Sequence, residues 1–349
     1  MDKYNEKTIY LGIDVHKRTY SVTAIRDGQV IKKDCMLAEP LDLVKYCKKY
    51  FPEATIYSAY EAGFCGFFLH RILNKNGINN IIVNPASIEV VARERVKTDK
   101  RDSQKIALQL SVGRLIGINV PSVEREQLRL VSRLYECYIK HRHRIGCQLK
   151  SLLYQFGLIK CTSKFKISKK WIASILKLNC ALALKYSIKE LSQLWLHLDE
   201  RIEWVRKELD LQSQVDAKIH ECYTSFYGVG LVAARILANE LEDMSQFTNE
   251  KKLYSYVGLT PQEYSSGDHQ RLGHISHQGK PILRKILVQI AWKIIKKDLE
   301  LMDFFLKVAA KAGKKKAIVG VARKLLMRMK ACLREGRSYK VKKENLIVV

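Results

Sequence analysis

At 349 residues with 62 Lys and Arg against 35 Asp and Glu, the chain carries a formal net charge of +27; it is too long for one typical core, and such an excess of positive charge calls for a polyanionic partner. No apolar run approaches the ~20 residues that span a bilayer, and the opening MDKYNEKTIY lacks the features of a signal peptide, which argues against a membrane protein and for a cytoplasmic one. The nine Cys include no Cys-x-x-Cys pair, so neither a disulfide framework nor zinc is suggested, and reduced thiols packed mostly inside are expected.

From Thr8 to Leu110 strand-like and helix-like segments alternate, which predicts an α/β domain. Ile9, Leu11, Ile13 and Val15 fall on one face of a first strand and Gly12, Asp14 and His16 on the other. Thr19–Ile25 returns as a second strand, Arg26-Asp27-Gly28-Gln29 supplies a turn, and Val30–Leu37 forms a third. A helix over Leu41–Tyr50, a strand over Thr55–Ala59, a helix over Phe67–Lys75 and an apolar strand over Ile81–Asn84 follow, with a further helix from about Thr98. The order β-β-β-α-β-α-β-α fits an RNase H-like sheet better than a nucleotide-binding one, and no glycine-rich phosphate loop is present.

After Pro121 the pattern changes to long helices. Leu128, Val131, Tyr135, Tyr138, Ile145, Leu149, Leu152 and Phe156 read as a coiled-coil seam interrupted only at Arg142, and Ile188, Leu191, Trp195, Leu198, Ile202, Val205 and Leu209 as a second. The seams are free to pair within one chain or between chains. Between Cys137 and Lys189 there is no Asp or Glu but twelve Lys or Arg, among them Lys140, Arg142, Arg144, Lys150, Lys164, Lys166, Lys169 and Lys170. A solvated face normally mixes signs, so this segment predicts contact with a nucleic-acid backbone. From about Tyr223 the chain is helical again, and Lys311–Val349 holds thirteen Lys or Arg and two Glu. Three regions are expected, over 1–115, 116–222 and 223–349.

Asp14 sits in the middle of an apolar strand, where an unpaired carboxylate costs several kcal/mol to desolvate and calls for a cation or water. Glu61 follows the strand Thr55–Ala59 and comes near Asp14 if those two strands adjoin. Asp99 and Asp102 are three apart, on one face of a helix start, where capping alone also explains an Asp. Four such carboxylates can surround two Mg²⁺ ions, hard cations that take oxygen ligands and clamp a phosphodiester. Gly228-Val229-Gly230 before an Ala-rich helix reads as a helix-hairpin-helix element that lets backbone N–H groups meet a phosphate, or as a plain tight turn. Ser266 beside Gly267 is, on its chemistry alone, an ordinary turn serine. Arg271, His274, His277, Lys280 and Arg284 stand near it in sequence and suit a phosphate; the two His lack a third ligand for a metal.

YLGIDVHK (Tyr10–Lys17), YEAG (Tyr60–Gly63) and VKTDKRDS (Val96–Ser103) resemble the motifs of the RuvC-like Asp-Glu-Asp-Asp transposases of bacterial insertion sequences. This class is related to Piv-type DNA invertases and described as bridge-RNA-guided recombinases. The resemblance continues through Phe226–Gly230, Tyr256–Pro261, Ser265-Ser266-Gly267 and Gly273–Lys280. It implies a RuvC-like nuclease domain with Asp14, Glu61, Asp99 and Asp102 as catalytic metal ligands. It further implies a C-terminal domain whose serine, matched best by Ser266 with Ser265 and Ser276 as alternatives, links covalently to DNA. Mg²⁺, donor and target DNA, a structured guide RNA and a homodimer or homotetramer are the cofactor and partners that follow.

Overall fold

A computed structural model describes residues 8–88, 99–160, 166–263 and 272–341, in two units that divide at Pro121/Ser122. No described helix is long and apolar enough to cross a membrane.

The first unit is built on one sheet. Strands β1 (Thr8–Val15), β2 (Thr19–Arg26) and β3 (Gln29–Leu37) form an antiparallel meander. The β2–β3 turn has positive φ at both Asp27 and Gly28, the mirror-image turn whose twist suits a tight hairpin. Helix α1 (Pro40–Tyr50) leads to β4 (Thr55–Glu61), parallel to β1, and α2 (Phe68–Lys75) to β5 (Asn79–Val83), parallel to β4. The sheet order is β3-β2-β1-β4-β5. The expected elements are all present, with ends moved by one or two residues.

Alternation along the strands builds two covered faces. Ile9, Leu11, Ile13, Ile56 and Tyr60 pack with Leu43 and Val44 of α1 and Leu69 and Leu73 of α2. On the opposite face lies α3 (Asp99–Ser111), where Ile106 joins Ala59 and Val83. Gly12 admits α3: a Cβ there would collide with the Ser103 carbonyl and the Ala107 amide nitrogen and stand 2.9 Å from the Ala107 Cβ.

The second unit is helical, with one short strand pair that sequence patterning missed because its strands are brief. Its elements are α4 (Val123–Gln155), α5 (Lys169–Ile175), α6 (Leu182–Leu211), α7 (Ala217–Thr224), α8 (Leu231–Leu241) and α9 (Glu250–Val257). The antiparallel pair β6 (Pro261–Glu263) and β7 (Leu272–Ile275) follows, then α10 (Pro281–Ile294), α11 (Leu299–Ala312) and α12 (Lys314–Glu335). Helices α4 and α6 pack along each other within the chain. The buried positions of α6, among them Ile188, Trp195, Ile202, Val205 and Leu209, follow the predicted three-four spacing. Along α4 the buried positions include Arg129 and Ser132, while Leu128, Val131 and Tyr135 are half-buried, because this stretch also packs against α8. Arg142, the break in the α4 seam, crosses to α6: its guanidinium pairs with Asp199 and lies 5.4 Å from the Trp195 ring centre.

The eight described cysteines are free thiols, of which Cys47, Cys222 and Cys332 are buried; Cys35, Cys137 and Cys147 are exposed, so packing inside holds for a minority.

Candidate active site and nucleic-acid interface

The register of the sheet positions the first two carboxylates. β1 and β4 run parallel with Gly12 opposite Ala59 and Ile13 opposite Tyr60, so Asp14 and Glu61 are the next residues on neighbouring strands. Both follow residues of the helix-α3 face by two, Asp14 after Gly12 and Glu61 after Ala59, which sets them on that same face. Asp14 is the last residue but one of β1, not mid-strand as its apolar neighbours suggested; its side chain is 20% exposed, and Glu61 is exposed. Carboxylates at the C-terminal ends of parallel strands keep access to water while the strand bodies stay apolar.

Helix α3, which carries the remaining two acids, packs on this face. Ser103 Oγ lies 2.9 Å from Thr23 Oγ1, and Thr23 is the register partner of Gly12, so the first turns of α3 are fixed over β1 and β2. Lys33 Nζ donates to Gln104 Oε1 at 2.7 Å. Asp102, the residue before Ser103, is half-buried. Asp99 opens the helix, and its side chain lies outside the described residues. Among the described residues no three His, Cys, Asp or Glu side chains gather closely enough to hold a metal. In donor type the set suits a hard divalent ion: the acids supply oxygen only. His16, a residue overlooked as a site candidate, places Nε2 3.1 Å from Asp14 Oδ2. The signal for it was present, since His16 and Asp14 alternate onto one face.

In the second unit the structure describes some candidate residues and not others. Ser265, Ser266 and Arg271 fall between β6 and β7, outside the described residues, as does Lys164. Ser276, just past β7, donates its amide to Thr260 O at 2.9 Å, and its hydroxyl is 3.4 Å from that of Thr260. The glycines on either side hold this region by close backbone approach. Gly279, at φ +91°, lies where a Cβ would meet the Tyr256 carbonyl at 2.6 Å, and Gly258 is similarly closed in by Gln278.

Several candidate phosphate ligands have internal partners. Arg284 Nη1 donates to Gly258 O at 3.4 Å. Lys280 Nζ lies 3.7 Å from Glu240, a carboxylate 2% exposed, which also faces Arg129 and Arg133 at 3.9 and 3.6 Å. Burial pushes the Lys280 amine below the usual lysine value, Arg133 and Arg129 push the same way, and Glu240 opposes them. Nothing in the sequence around Glu240 marks it as the centre of this cluster. Lys169 shares Asp199 with Arg142, and Lys140 pairs with Glu136 at 3.2 Å. Arg144 and Lys170 are exposed, and Lys150 is half-buried.

Helices α7 and α8 flank the turn carrying Gly228 and Gly230. Gly228, at φ +91°, faces the Lys293 side chain, whose Cβ would be 2.7 Å from an added Cβ, so its requirement is met by packing within the protein. Gly230 caps α8 and has open space where a side chain would stand.

A transposase profile of the DEDD type found in IS110 elements matches residues 11–157, and the profile described as transposase IS116/IS110/IS902 family matches residues 220–306. A putative transposase, y4rJ, of Sinorhizobium fredii is 28% identical over 91% of this chain and 90% of its own length. The transposase for insertion sequence element IS1533 of Leptospira borgpetersenii is 26% identical over 82% of this chain and 86% of its own. A second Sinorhizobium fredii protein, putative transposase y4qE, is 25% identical over 81% and 71%. With both profiles matched in order and relatives aligned along most of the length, the chain belongs to the IS110/IS116 family of transposases, enzymes that cut and rejoin DNA.

Proposed function

We propose that this transposase breaks and reseals DNA strands through a serine of the β6–β7 segment, Ser266, with the phosphate held among Asp14, Glu61, Asp99 and Asp102 on an RNase H-like sheet. The observation that carries the reading is the register that makes Asp14 and Glu61 neighbours on the face covered by α3. Mg²⁺ bound there, as two ions, supplies neutralisation of the phosphate charge. The carboxylates would hold the ions that position the scissile phosphate, and His16 orients Asp14 through their 3.1 Å contact. The Ser266 oxygen attacks phosphorus, the bond to the leaving strand's oxygen breaks, and that oxygen takes up a proton. Rejoining reverses the step: a strand hydroxyl attacks the phosphoserine and returns the serine oxygen.

Residues 1–115 serve as the nuclease region, 116–222 as a helical basic region and 223–349 as the region that bears the nucleophile. The acid-free basic segment 137–189 contacts a structured guide RNA, whose shape and phosphates require dense positive charge. The open N-terminus of α8 at Gly230 meets a DNA phosphate. Two DNA partners call for a homodimer or homotetramer.

The test is detergent trapping of a covalent protein–DNA adduct with element-end DNA and Mg²⁺. The wild type forms the adduct and Ser266→Ala does not, while Asp14→Ala lowers strand cleavage on the order of 10³-fold, the several kcal/mol of a lost metal ligand. An adduct that survives Ser266→Ala moves the role to Ser265 or Ser276. Cleavage without any adduct in the wild type means that water attacks, as in a junction resolvase, and overturns the serine mechanism.

A further inference from the structure

A basic cleft of about 540 Å³ opens in the helical unit. Lys140, Arg142, His143 and Lys150 of α4 line it, with Lys166 from the segment before α5 and Lys285 of α10; no Asp or Glu does. Its floor is closed by a local device. Gly146, buried in mid-helix, takes Ile167 so closely that an added Cβ would lie 2.5 Å from its Cδ1, and Trp195 Nε1 would be 3.5 Å away. A glycine at such a position costs roughly 1 kcal/mol of helix stability relative to Ala. Here it lets Ile167 and Trp195 approach the α4 backbone and recess the floor beneath the cations.

The cations differ in how far they are already neutralised. Arg142 is held by Asp199, and Lys140 by Glu136. Lys166 and Lys285 are exposed and have no acidic partner among the described residues. Like charges so placed repel one another unless an anion lies between them. Ile139 and Lys285 also line a second cavity of about 270 Å³, whose wall includes Val232 and Ala233 in the first turn of α8. That cavity is mostly apolar and sets Glu136 on the same wall as Lys285, so the run of cations ends at Lys285. Trp195 is buried and covered by the Arg142 guanidinium, so the cleft has no open aromatic ring on which to stack a base.

We infer that this cleft grips consecutive phosphodiesters of one nucleic-acid strand, with Lys166 of the segment before α5 and Lys285 of α10 both contacting it and no base read. The inference rests on the proposed function for the presence of nucleic acid and adds a site, its second wall on α10 and a sequence-independent mode of binding. One strand held in this way ties the acid-free segment 137–189 to the helix that begins directly after Lys280. DNA and RNA offer the same phosphodiester, so the experiment separates them.

The full chain and its Lys166→Gln/Lys285→Gln double variant are titrated with a labelled RNA hairpin and a labelled DNA duplex across a salt series. Each phosphate contact contributes about 0.7–0.9 to the slope of log affinity against log salt. The double variant is expected to lose roughly 1.4–1.8 from that slope and to bind about tenfold more weakly on the strand that occupies the cleft. A control, Lys45→Gln/Lys307→Gln, alters lysines ion-paired to Asp42 and Asp303 and leaves the slope unchanged. A change on RNA alone assigns the cleft to RNA, and a change on DNA alone to DNA. Wild-type slopes on both, with an unaltered melting curve, overturn the inference, as does a loss confined to binding of free tripolyphosphate. Binding is read without strand cleavage, so a failed adduct experiment and a failed slope experiment are distinct results.

Discussion

In the sheet unit the charged candidates stand at strand ends over an apolar body, whereas in the helical unit charged side chains enter the core itself. Asp14 and Glu61 follow Ile13 and Tyr60, both buried, and emerge where β1 and β4 stop. Arg235 of α8 is fully buried instead. It donates to Asn239 Oδ1 and Gln212 O, each at 2.9 Å, and forks onto Asp216, which Arg125 of α4 also reaches at 2.9 Å. Asn239 Nδ2 continues the network to Ser132 Oγ at 2.8 Å, and Arg129 to the carbonyls of Asn239 and Glu240. The difference teaches how to read a basic sequence. Where charge sits at the end of a strand, as Asp14 does beside His16, it keeps access to water; where it sits on packed helices, the partner must be located before a Lys or Arg is counted as a ligand.

The comparison breaks most visibly at Arg235. Arg235→Met keeps much of the volume but leaves Asp216 buried with one cation fewer, and a broken buried pair costs about 3–5 kcal/mol. The unfolding free energy of the helical unit, read from urea titration, is expected to fall by that amount, while a matched Asp14→Asn change leaves it near wild type. Acid sharpens the same point. Although burial pushes Asp216 upward, hydrogen bonds from Arg235 and Arg125 hold its carboxyl below the ordinary 3.8. Its stabilisation is complete above that value and is lost as pH falls through the lower folded one. Stability measured from pH 5 to 2 should therefore drop less steeply in Asp216→Asn than in the wild type, and parallel curves would remove Asp216 from the network.

In the sheet unit the weak point is backbone contact in place of charge. Gly12→Ala puts a methyl against the Ser103 carbonyl, so α3 must lift, and overpacking of this kind costs about 3 kcal/mol. Because α3 bears Asp99 and Asp102, the same change is expected to lower strand cleavage at temperatures where the variant remains folded. A wild-type denaturation midpoint would show that α3 yields without cost.

How much of this was readable in the sequence follows from range. The strands and helices of the sheet unit were legible because period-two alternation and the Asp27-Gly28 turn are local signals. The pairing of Asp14 with Glu61 was legible only on condition that β1 and β4 adjoin, since register across a crossover is not written in either strand. Gly12 looked like one more residue of its strand until a helix more than eighty residues away was seen to need the space. In the helical unit the stripe of α6 was plain, but α4 serves two neighbours, and its Arg129 and Ser132 face inward for α8. Arg284 and Lys280 looked like phosphate ligands because their partners, the Gly258 carbonyl and Glu240, lie in other elements.

The smallest effect tests whether the α3 seat depends on shape or on hydrogen bonding. Ser103 and Thr23 are both about 1% exposed and share one hydroxyl contact of 2.9 Å. Ser103→Ala leaves the Thr23 hydroxyl buried with its partner gone, a penalty of about 1 kcal/mol. Thr23→Val alone removes the same contact from the strand side. Replacing both with groups of similar shape removes the need for either bond, so the double variant should recover much of what each single change loses. A positive coupling in that cycle, read from urea midpoints, means that the two hydroxyls specify where α3 lands on β1 and β2. Additive losses mean instead that the collision at Gly12 alone sets the position, and that the hydroxyls merely fill a gap left by it.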